Sequence, residues 1–208
     1  MSVRKMILGP VQTNVYFYIN DDTKEAVLID PADNPERILE FAGRNGINIK
    51  AICLTHGHFD HVMGLKGVQD ATKAKVYACR EEKRLLTDDE HNLSSEAVGV
   101  ACTVEDYIPL SDGDVIEEAG KKLKLIFTPG HTEGSCCYYI EDEKILFSGD
   151  TLFCCSVGRT DLPTGSSQKM LDSLNKKLLV LPEDVRVYPG HGEETDIGYE
   201  KKYNPFVG

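Results

Sequence analysis

The sequence predicts an α+β protein, because short apolar segments of strand length fill both halves of the chain and only a few segments have helical periodicity. Two hairpins support this class. Residues 15–29 hold two such strands around a polar turn, and residues 135–148 repeat the arrangement. Three strand ends are followed by histidine, which indicates that the strands deliver side chains to a common edge.

In order, the predicted strands cover residues 15–20, 26–29, 50–55, 75–79, 122–127, 135–140, 144–148 and 185–188. The predicted helices cover residues 35–45, 62–71, 81–86 and 167–179. Asn34 can cap the first helix, with Pro35 at its first position and Gly46 after its end. Residues 87–101 are polar and are predicted to be irregular. No linker or low-complexity segment interrupts the pattern, so the 208 residues are expected to form one domain.

The charge balance narrows the choice of partners. The chain carries 34 acidic against 23 basic residues, a net charge of −11, which disfavours nucleic acid. No apolar run approaches the roughly 20 residues of a membrane span, and no signal peptide precedes the first strand. We therefore expect a cytoplasmic protein that acts on a small molecule. The oligomeric state cannot be inferred from this pattern.

The cysteines do not form a disulfide framework or a four-thiolate zinc site. There are seven, an odd number, and no C-x-x-C pair occurs. Two adjacent pairs, Cys136-Cys137 and Cys154-Cys155, are expected to point to opposite faces of a strand. For Cys154 and Cys155, small buried packing residues are the favoured interpretation, with a redox or substrate role as the alternative.

The histidines predict a metal centre. Five of six lie in glycine-containing loops at strand ends, and His91, in a polar stretch, is excluded. The loop after the strand at residues 50–55 contains the motif H-x-H-x-D-H, which can address two neighbouring metals. Each metal needs about three protein ligands and an open position for water. The candidate ligands are His56, His58 and His131 for one ion, Asp60, His61 and His191 for the other, and Asp150 as a bridge between them.

These residues resemble the metallo-β-lactamase superfamily, and more narrowly the small glyoxalase II-like (hydroxyacylglutathione hydrolase-like) hydrolases. Further support comes from Gln12-Thr13-Asn14 with Tyr16, from Ile29-Asp30-Pro31, and from Gly158-Arg159-Thr160-Asp161. The resemblance implies a four-layer αββα sandwich, with two mixed sheets face to face and helices outside. Too few residues follow His191 for the C-terminal helical domain of full-length glyoxalase II enzymes, so glutathione itself is less firmly implied than a thioester.

The resemblance implies a hydrolase that uses a hydroxide bridging two divalent ions, zinc in the first place and iron or manganese as alternatives. Asp60 is expected to guide a proton as well as bind metal. Arg159 is the candidate for a substrate carboxylate, although an ion pair with Asp161 competes, and Asp30 can orient a ligand histidine or simply form a turn. A mononuclear-iron persulfide dioxygenase using His56, His131 and Asp150, a lactonase, and a non-catalytic binding module remain as alternatives. Asp150 favours the glyoxalase-like arrangement over zinc β-lactamases.

Overall fold

The computed structural model describes residues 1–207 and contains two six-stranded sheets, a two-stranded ribbon and seven α-helices. The strands are Ser2–Leu8 (β1), Thr13–Ile19 (β2), Glu25–Ile29 (β3), Asn48–Leu54 (β4), Lys75–Cys79 (β5), Ile108–Leu110 (β6), Val115–Glu118 (β7), Lys121–Phe127 (β8), Cys136–Ile140 (β9), Ile145–Gly149 (β10), Leu152–Phe153 (β11), Ser156–Val157 (β12), Arg186–Pro189 (β13) and Thr195–Asp196 (β14). The helices are Pro35–Arg44 (α1), Phe59–Val62 (α2), Leu65–Thr72 (α3), Lys83–Thr87 (α4), Ser94–Val98 (α5), Ser167–Ser173 (α6) and Ile197–Tyr203 (α7).

Both large sheets are mixed. The first has the order β1-β2-β3-β4-β5-β6, antiparallel at its start and parallel from β3 onward. The second has the order β14-β13-β10-β9-β8-β7, with β10 and β13 parallel. A separate two-stranded ribbon pairs β11 with β12. Because β8, β10 and β13 run in the same direction, their carboxyl ends lie at the same edge.

Three apolar cores give the four layers. Along β2, alternate side chains point to opposite faces. Phe17 packs in a core that also contains Ile38 of α1 and Val68 of α3, outside the first sheet. Tyr16 packs in the core between the two sheets. The third core joins the second sheet to α6, with Leu174 fully buried. The αββα sandwich predicted from the sequence is therefore confirmed.

The predicted central strands and the first helix match the structure closely. The hairpin of β2 and β3 turns through Asn20, whose side-chain oxygen accepts hydrogen bonds from the backbone of Asp22 and Thr23. Asn34 caps α1 as expected, because its side chain accepts from the backbone N–H of Arg37. Within residues 1–207, no helix has the length and apolar character to span a membrane.

The helix predicted over residues 62–71 is wrong in its extent. The structure has two helices, and the break lies at Gly64, whose N–H donates to the carbonyl of Pro31 over 2.8 Å. A Cβ at Gly64 would lie 2.7 Å from that carbonyl oxygen, and one at Gly67 would lie 2.5 Å from the ring of Pro35. The two glycines therefore allow the backbone of this segment to approach residues 31–35 closely.

Other differences fall on short or marginal elements. Strands β1, β6 and β7 were not predicted; each lies at the edge of a sheet, where half-exposed strands lack a continuous apolar pattern. Helix α5 lies within the stretch expected to be irregular, and α7 was also not predicted. The helix predicted over residues 167–179 is α-helical only to Ser173 and continues as a π-turn over Leu174–Leu178.

Candidate metal centre

The seven predicted ligands converge at the edge where β4, β8, β10 and β13 end. His56 and His58 follow β4, and Asp60 and His61 lie in α2 directly after them. The other three follow strands of the second sheet. His131 comes after β8, Asp150 after β10 and His191 after β13. Loops and the short helix α2 at one edge of both sheets therefore supply the whole set.

The side chains form two clusters. Within each cluster, one potential ligand atom from each residue lies within 4.8 Å of those of the other two residues. The first cluster contains His56, His58 and His131, and the second contains Asp60, His61 and His191. Asp150 stands between them. Its Oδ1 is 3.5 Å from Nε2 of His61, and its Oδ2 is 3.6 Å from Nε2 of His131 and 3.5 Å from Nε2 of His191. The carboxylate thus contacts members of both clusters, as a bridging ligand requires.

The donor atoms fit metal ions. Nε2 of His56, Nε2 of His61 and Oδ1 of Asp150 are buried without a hydrogen-bond partner, although buried polar atoms are normally paired. Imidazole and carboxylate donors without thiolate suit zinc, iron or manganese. The two clusters and their shared carboxylate therefore form a candidate site for two divalent ions.

Outer hydrogen bonds fix the ligand orientations. Nδ1 of His61 lies 2.9 Å from Oδ2 of Asp30, which also accepts from the hydroxyl of Thr55 over 2.6 Å. Nδ1 of His131 donates to the main-chain carbonyl of Arg159 over 2.8 Å. In both rings the Nδ1 hydrogen is engaged, so that Nε2 presents its lone pair to the centre. Asp30 thus makes the contact that orienting His61 requires, and its φ of +48° also places it in a turn, so the two interpretations of this residue are compatible.

Histidine pKa values are shifted in opposite directions in the two clusters. Burial lowers the pKa of His58 to about 3, and the nearby ring of His131 adds to the effect. Burial also holds the pKa of His56 well below its usual range. Burial alone would lower the pKa of His61 as well, but Asp60 and Asp150 outweigh it and raise that pKa to about 9. A metal ion bound at the second cluster would therefore have to displace the proton of His61.

The loop of His191 is anchored by residues of β2. The backbone N–H of Asn14 donates to the carbonyl of Gly190 over 2.7 Å, and its side-chain amide donates to the carbonyls of Pro189 and Gly192. The hydroxyl of Tyr16 donates to the carbonyl of Pro189 over 2.8 Å. These contacts give a physical role to residues that carried the family resemblance. Thr13, the preceding residue of β2, donates its hydroxyl to Oδ2 of Asp60 over 2.8 Å.

Glu82 is a functional candidate that the sequence did not reveal. Glu82 is 1% exposed, and its carboxylate accepts a hydrogen bond of 2.7 Å from the backbone N–H of Gly57. Gly57 stands between His56 and His58 in the sequence. The carboxylate also accepts from the hydroxyl of Thr132 and the backbone N–H of Gly134, both over 2.9 Å. One buried side chain therefore holds the loops of both sheets together. In the sequence it stands in a charged segment, where a solvated side chain is the ordinary expectation.

For three further residues, Arg159, Cys154 and Cys155, the structure bears on the interpretations that the sequence left open. The guanidinium of Arg159 is 61% exposed and makes two hydrogen bonds of 2.7 Å to Asp161, so the competing ion pair is formed. Cys154 is exposed and Cys155 half-buried, so the expectation of buried packing residues is wrong for this pair. His91 pairs with Asp88 and belongs to neither cluster, as expected.

Sequence comparisons place the chain among known hydrolases. The family model of the metallo-beta-lactamase superfamily matches residues 8–191. The chain is 39% identical to the probable metallo-hydrolase YqgX of Bacillus subtilis, over 100% of this chain and 98% of that protein. It is 31% identical to the hydroxyacylglutathione hydrolase GloC of Haemophilus influenzae, over 90% of this chain and 89% of that protein.

Similar solved structures support the same family. The BLEG-1 B3 metallo-beta-lactamase superposes with a TM-score of 0.93 and 39% identity, covering 99% of both chains. TTHA1623 in a di-iron-bound form gives a TM-score of 0.86 and 36% identity, over 98% of this chain and 100% of that one. ETHE1 from Myxococcus xanthus gives a TM-score of 0.78 and 28% identity, over 99% of this chain and 84% of that one. By its sequence, its fold and these relatives, the chain belongs to the metallo-β-lactamase superfamily.

Proposed function

We propose that this protein is a metal-dependent hydrolase that cleaves a thioester, such as a hydroxyacyl-thiol, at a centre of two divalent ions. The observation that carries the proposal is the pair of complete three-residue clusters with the carboxylate of Asp150 between them. A mononuclear site would need only one such cluster. The similarity to GloC supports a hydroxyacyl thioester as the substrate class.

The first ion would be held by His56, His58 and His131, the second by Asp60, His61 and His191, and both by Asp150. When bound, such ions supply a hydroxide nucleophile at neutral pH and polarise the carbonyl group to be attacked. Zinc is the first candidate, with manganese as an alternative. The similarity to a di-iron-bound protein supports iron as well.

Asp60 has a second role in this proposal. Its Oδ2 accepts the hydroxyl hydrogen of Thr13 and lies 3.3 Å from Nε2 of His191, so the carboxylate is held in one orientation. Although burial acts against a charge, His61 and His191 keep the pKa of Asp60 below its ordinary range. Asp60 therefore stays ionised and can guide a proton beside the reacting acyl group by accepting its hydrogen bond.

Arg159 is proposed to bind a carboxylate on the substrate. Its main chain contacts His131, so the residue lies next to the first cluster. Its planar guanidinium already binds a carboxylate in a two-point contact, that of Asp161. A substrate carboxylate could replace this partner, since the pair is exposed and such pairs contribute only about 0–1 kcal/mol.

A β-lactam is the second candidate substrate, favoured by the 39% identity to the BLEG-1 enzyme. Its amide presents the same kind of acyl carbon to a hydroxide as a thioester does. A lactone is a third acyl substrate of this kind. A persulfide dioxygenase with one iron on His56, His131 and Asp150 differs, because it would not need Asp60 or His191.

The test is hydrolysis of S-lactoylglutathione by metal-loaded protein. Wild-type protein should turn over the thioester, and Asp60→Ala should lose at least about 100-fold in kcat/KM. Asp22→Ala, in an exposed turn, is the matched control and should keep full activity. Absence of turnover by folded, metal-loaded protein would exclude glutathione thioesters as the substrate. Parallel assays with a chromogenic β-lactam, a lactone and a persulfide under oxygen would then identify the reaction. Oxygen uptake that survives Asp60→Ala would indicate the dioxygenase.

A further inference from the structure

The adjacent thiols Cys154 and Cys155 converge instead of pointing apart. Consecutive residues of an extended strand face opposite sides. Cys136 and Cys137 do so, and their side chains lie in different cores. At Cys155 the backbone has φ +53°, which breaks this alternation. Both sulfur atoms consequently lie within 4.8 Å of each other and of a carboxylate oxygen of Glu200.

The backbone at this turn is held in an unfavourable conformation. A left-handed φ is costly for a residue with a Cβ, and such conformations persist where surrounding contacts enforce them. The contact here is a hydrogen bond of 3.0 Å from the backbone N–H of Cys155 to Oε2 of Glu200. The carboxylate of Glu200 therefore contacts the two-residue turn between β11 and β12 that brings the two thiols together.

Glu200 is a buried carboxylate with neutral partners. It is fully buried, and its donors are the N–H of Cys155, the hydroxyl of Thr195 at 2.5 Å and the amide of Asn204 at 2.7 Å. None of these three donors carries a positive charge, whereas a buried charge is normally compensated. An ionised carboxylate has about four acceptor positions, so it can take one more partner.

We propose that Cys154, Cys155 and Glu200 form a further metal site that binds one thiophilic divalent cation of the zinc type. Two thiolates and one carboxylate give three protein ligands, and the exposure of Cys154 leaves a position open to solvent. The positive ion compensates the charge of Glu200. Because the histidine clusters contain no thiol, this site selects softer cations than they do.

The site would connect two segments beside the candidate metal centre. Cys154 and Cys155 follow β11, and Glu200 belongs to α7. Phe153, the last residue of β11, places its ring centroid 6.1 Å from that of His191. A cation bound by the two thiols and Glu200 would therefore fasten α7 to the strand that contacts the loop of His191.

Cadmium is the probe for this site, because cadmium–thiolate bonds give a near-ultraviolet charge-transfer band that imidazole and carboxylate ligands do not. The reduced full-length protein, first loaded with zinc, is titrated with Cd²⁺. The band should rise to saturation at one thiolate-bound Cd²⁺ per chain. Cys154→Ser and Cys155→Ser should each abolish it. The matched control Cys102→Ser, a half-buried cysteine outside the cluster, should keep it.

Because Cys154 is exposed, metal-free Cys154→Ser should melt at the temperature of the metal-free wild-type protein, so loss of the band cannot be ascribed to unfolding. A wild-type protein without the band at saturating Cd²⁺ would overturn the proposal. It would also be overturned if the band survived unchanged in either serine variant, since both thiolates are required. Thioester hydrolysis does not enter these measurements, which therefore test the thiol site separately from the proposed activity.

Discussion

Gly190→Ala tests whether the two clusters act as one centre. Gly190 lies directly before His191, and a Cβ there would be 2.2 Å from Oδ1 of Asp150 and 2.8 Å from Cε1 of His61. Ordinary carbon contacts need about 3.5–4 Å, so the Asp150 carboxylate must retreat by roughly 1 Å or more. Overpacking of this kind costs about 1–3 kcal/mol of stability.

The effect on the centre should be larger than the effect on folding. Misplacement by about 1 Å can cost 100-fold in rate, and metal sites tolerate only about 0.5 Å. We therefore expect Gly190→Ala to remain folded while its metal affinity and its hydrolytic activity fall by about 100-fold. Competition with a chromogenic chelator measures the affinity, and urea denaturation measures the free energy of unfolding.

Two glycines serve as matched controls. A Cβ at Gly192 would have no neighbour within 4 Å, but the φ of this residue is +75°, so Gly192→Ala measures backbone strain, about 1–2 kcal/mol, without a steric clash. Gly43 has open space and an ordinary φ within α1, so Gly43→Ala should stabilise by about 0.5–1 kcal/mol. Wild-type metal affinity in Gly190→Ala would refute the placement of Asp150 between the clusters.

Three further predictions concern the contact of Asp30 with His61, the titration of Glu82 and the removal of bound metal. Asp30→Asn removes the carboxylate that contacts Nδ1 of His61 and should weaken metal binding about 10–100-fold. The control Asp22→Asn, in an exposed turn, should bind metal as the wild type does. Equal metal affinities of Asp30→Asn and the wild type would contradict the orienting role. Burial raises the pKa of Glu82 from 4.5 to about 7, although its three hydrogen bonds act in the opposite direction. Between pH 4.5 and about 7 the folded state thus keeps a proton on Glu82 that the unfolded chain releases. The free energy of unfolding therefore falls by up to about 3 kcal/mol as the pH rises through this range. Urea denaturation should show that the stability difference between wild type and Glu82→Gln shrinks by that amount between pH 4.5 and 7, with Glu81→Gln, at the exposed neighbouring residue, as the matched control. A difference that does not change with pH would contradict the raised pKa of Glu82. Metal removal by a chelator should lower the melting temperature, since an ion at 100 times its Kd stabilises by about 2.7 kcal/mol, and an unchanged melting curve would speak against bound ions in the folded protein.

Much of the candidate centre could be predicted because most of its candidate ligands lie close together along the chain. Four of the seven candidates fall within His56–His61, and the others follow glycines at strand ends. The buried central strands were equally readable, because a strand covered on both faces is a continuous apolar run. Edge strands such as β1 lack that signal, since much of their surface is polar or exposed.

What the sequence did not reveal depends on contacts between distant residues. Glu82 lies 50 residues from Thr132 along the chain, and only the folded sheets bring the two together. The break at Gly64 contacts the carbonyl of Pro31, and the turn at Cys155 contacts Glu200 of α7. Local patterns carry no record of such partners, so strand alternation gave the wrong expectation for Cys154 and Cys155.

Anomalous diffraction from crystals of the metal-loaded protein tests the central claim most directly, because it locates the ions without assuming an activity. We expect two ions among the predicted ligands, one within His56, His58 and His131 and one within Asp60, His61 and His191, with Asp150 between them. A third peak at Cys154 would concern the thiol site alone. A single ion among the histidines, or none, in protein saturated with metal would contradict a two-ion centre.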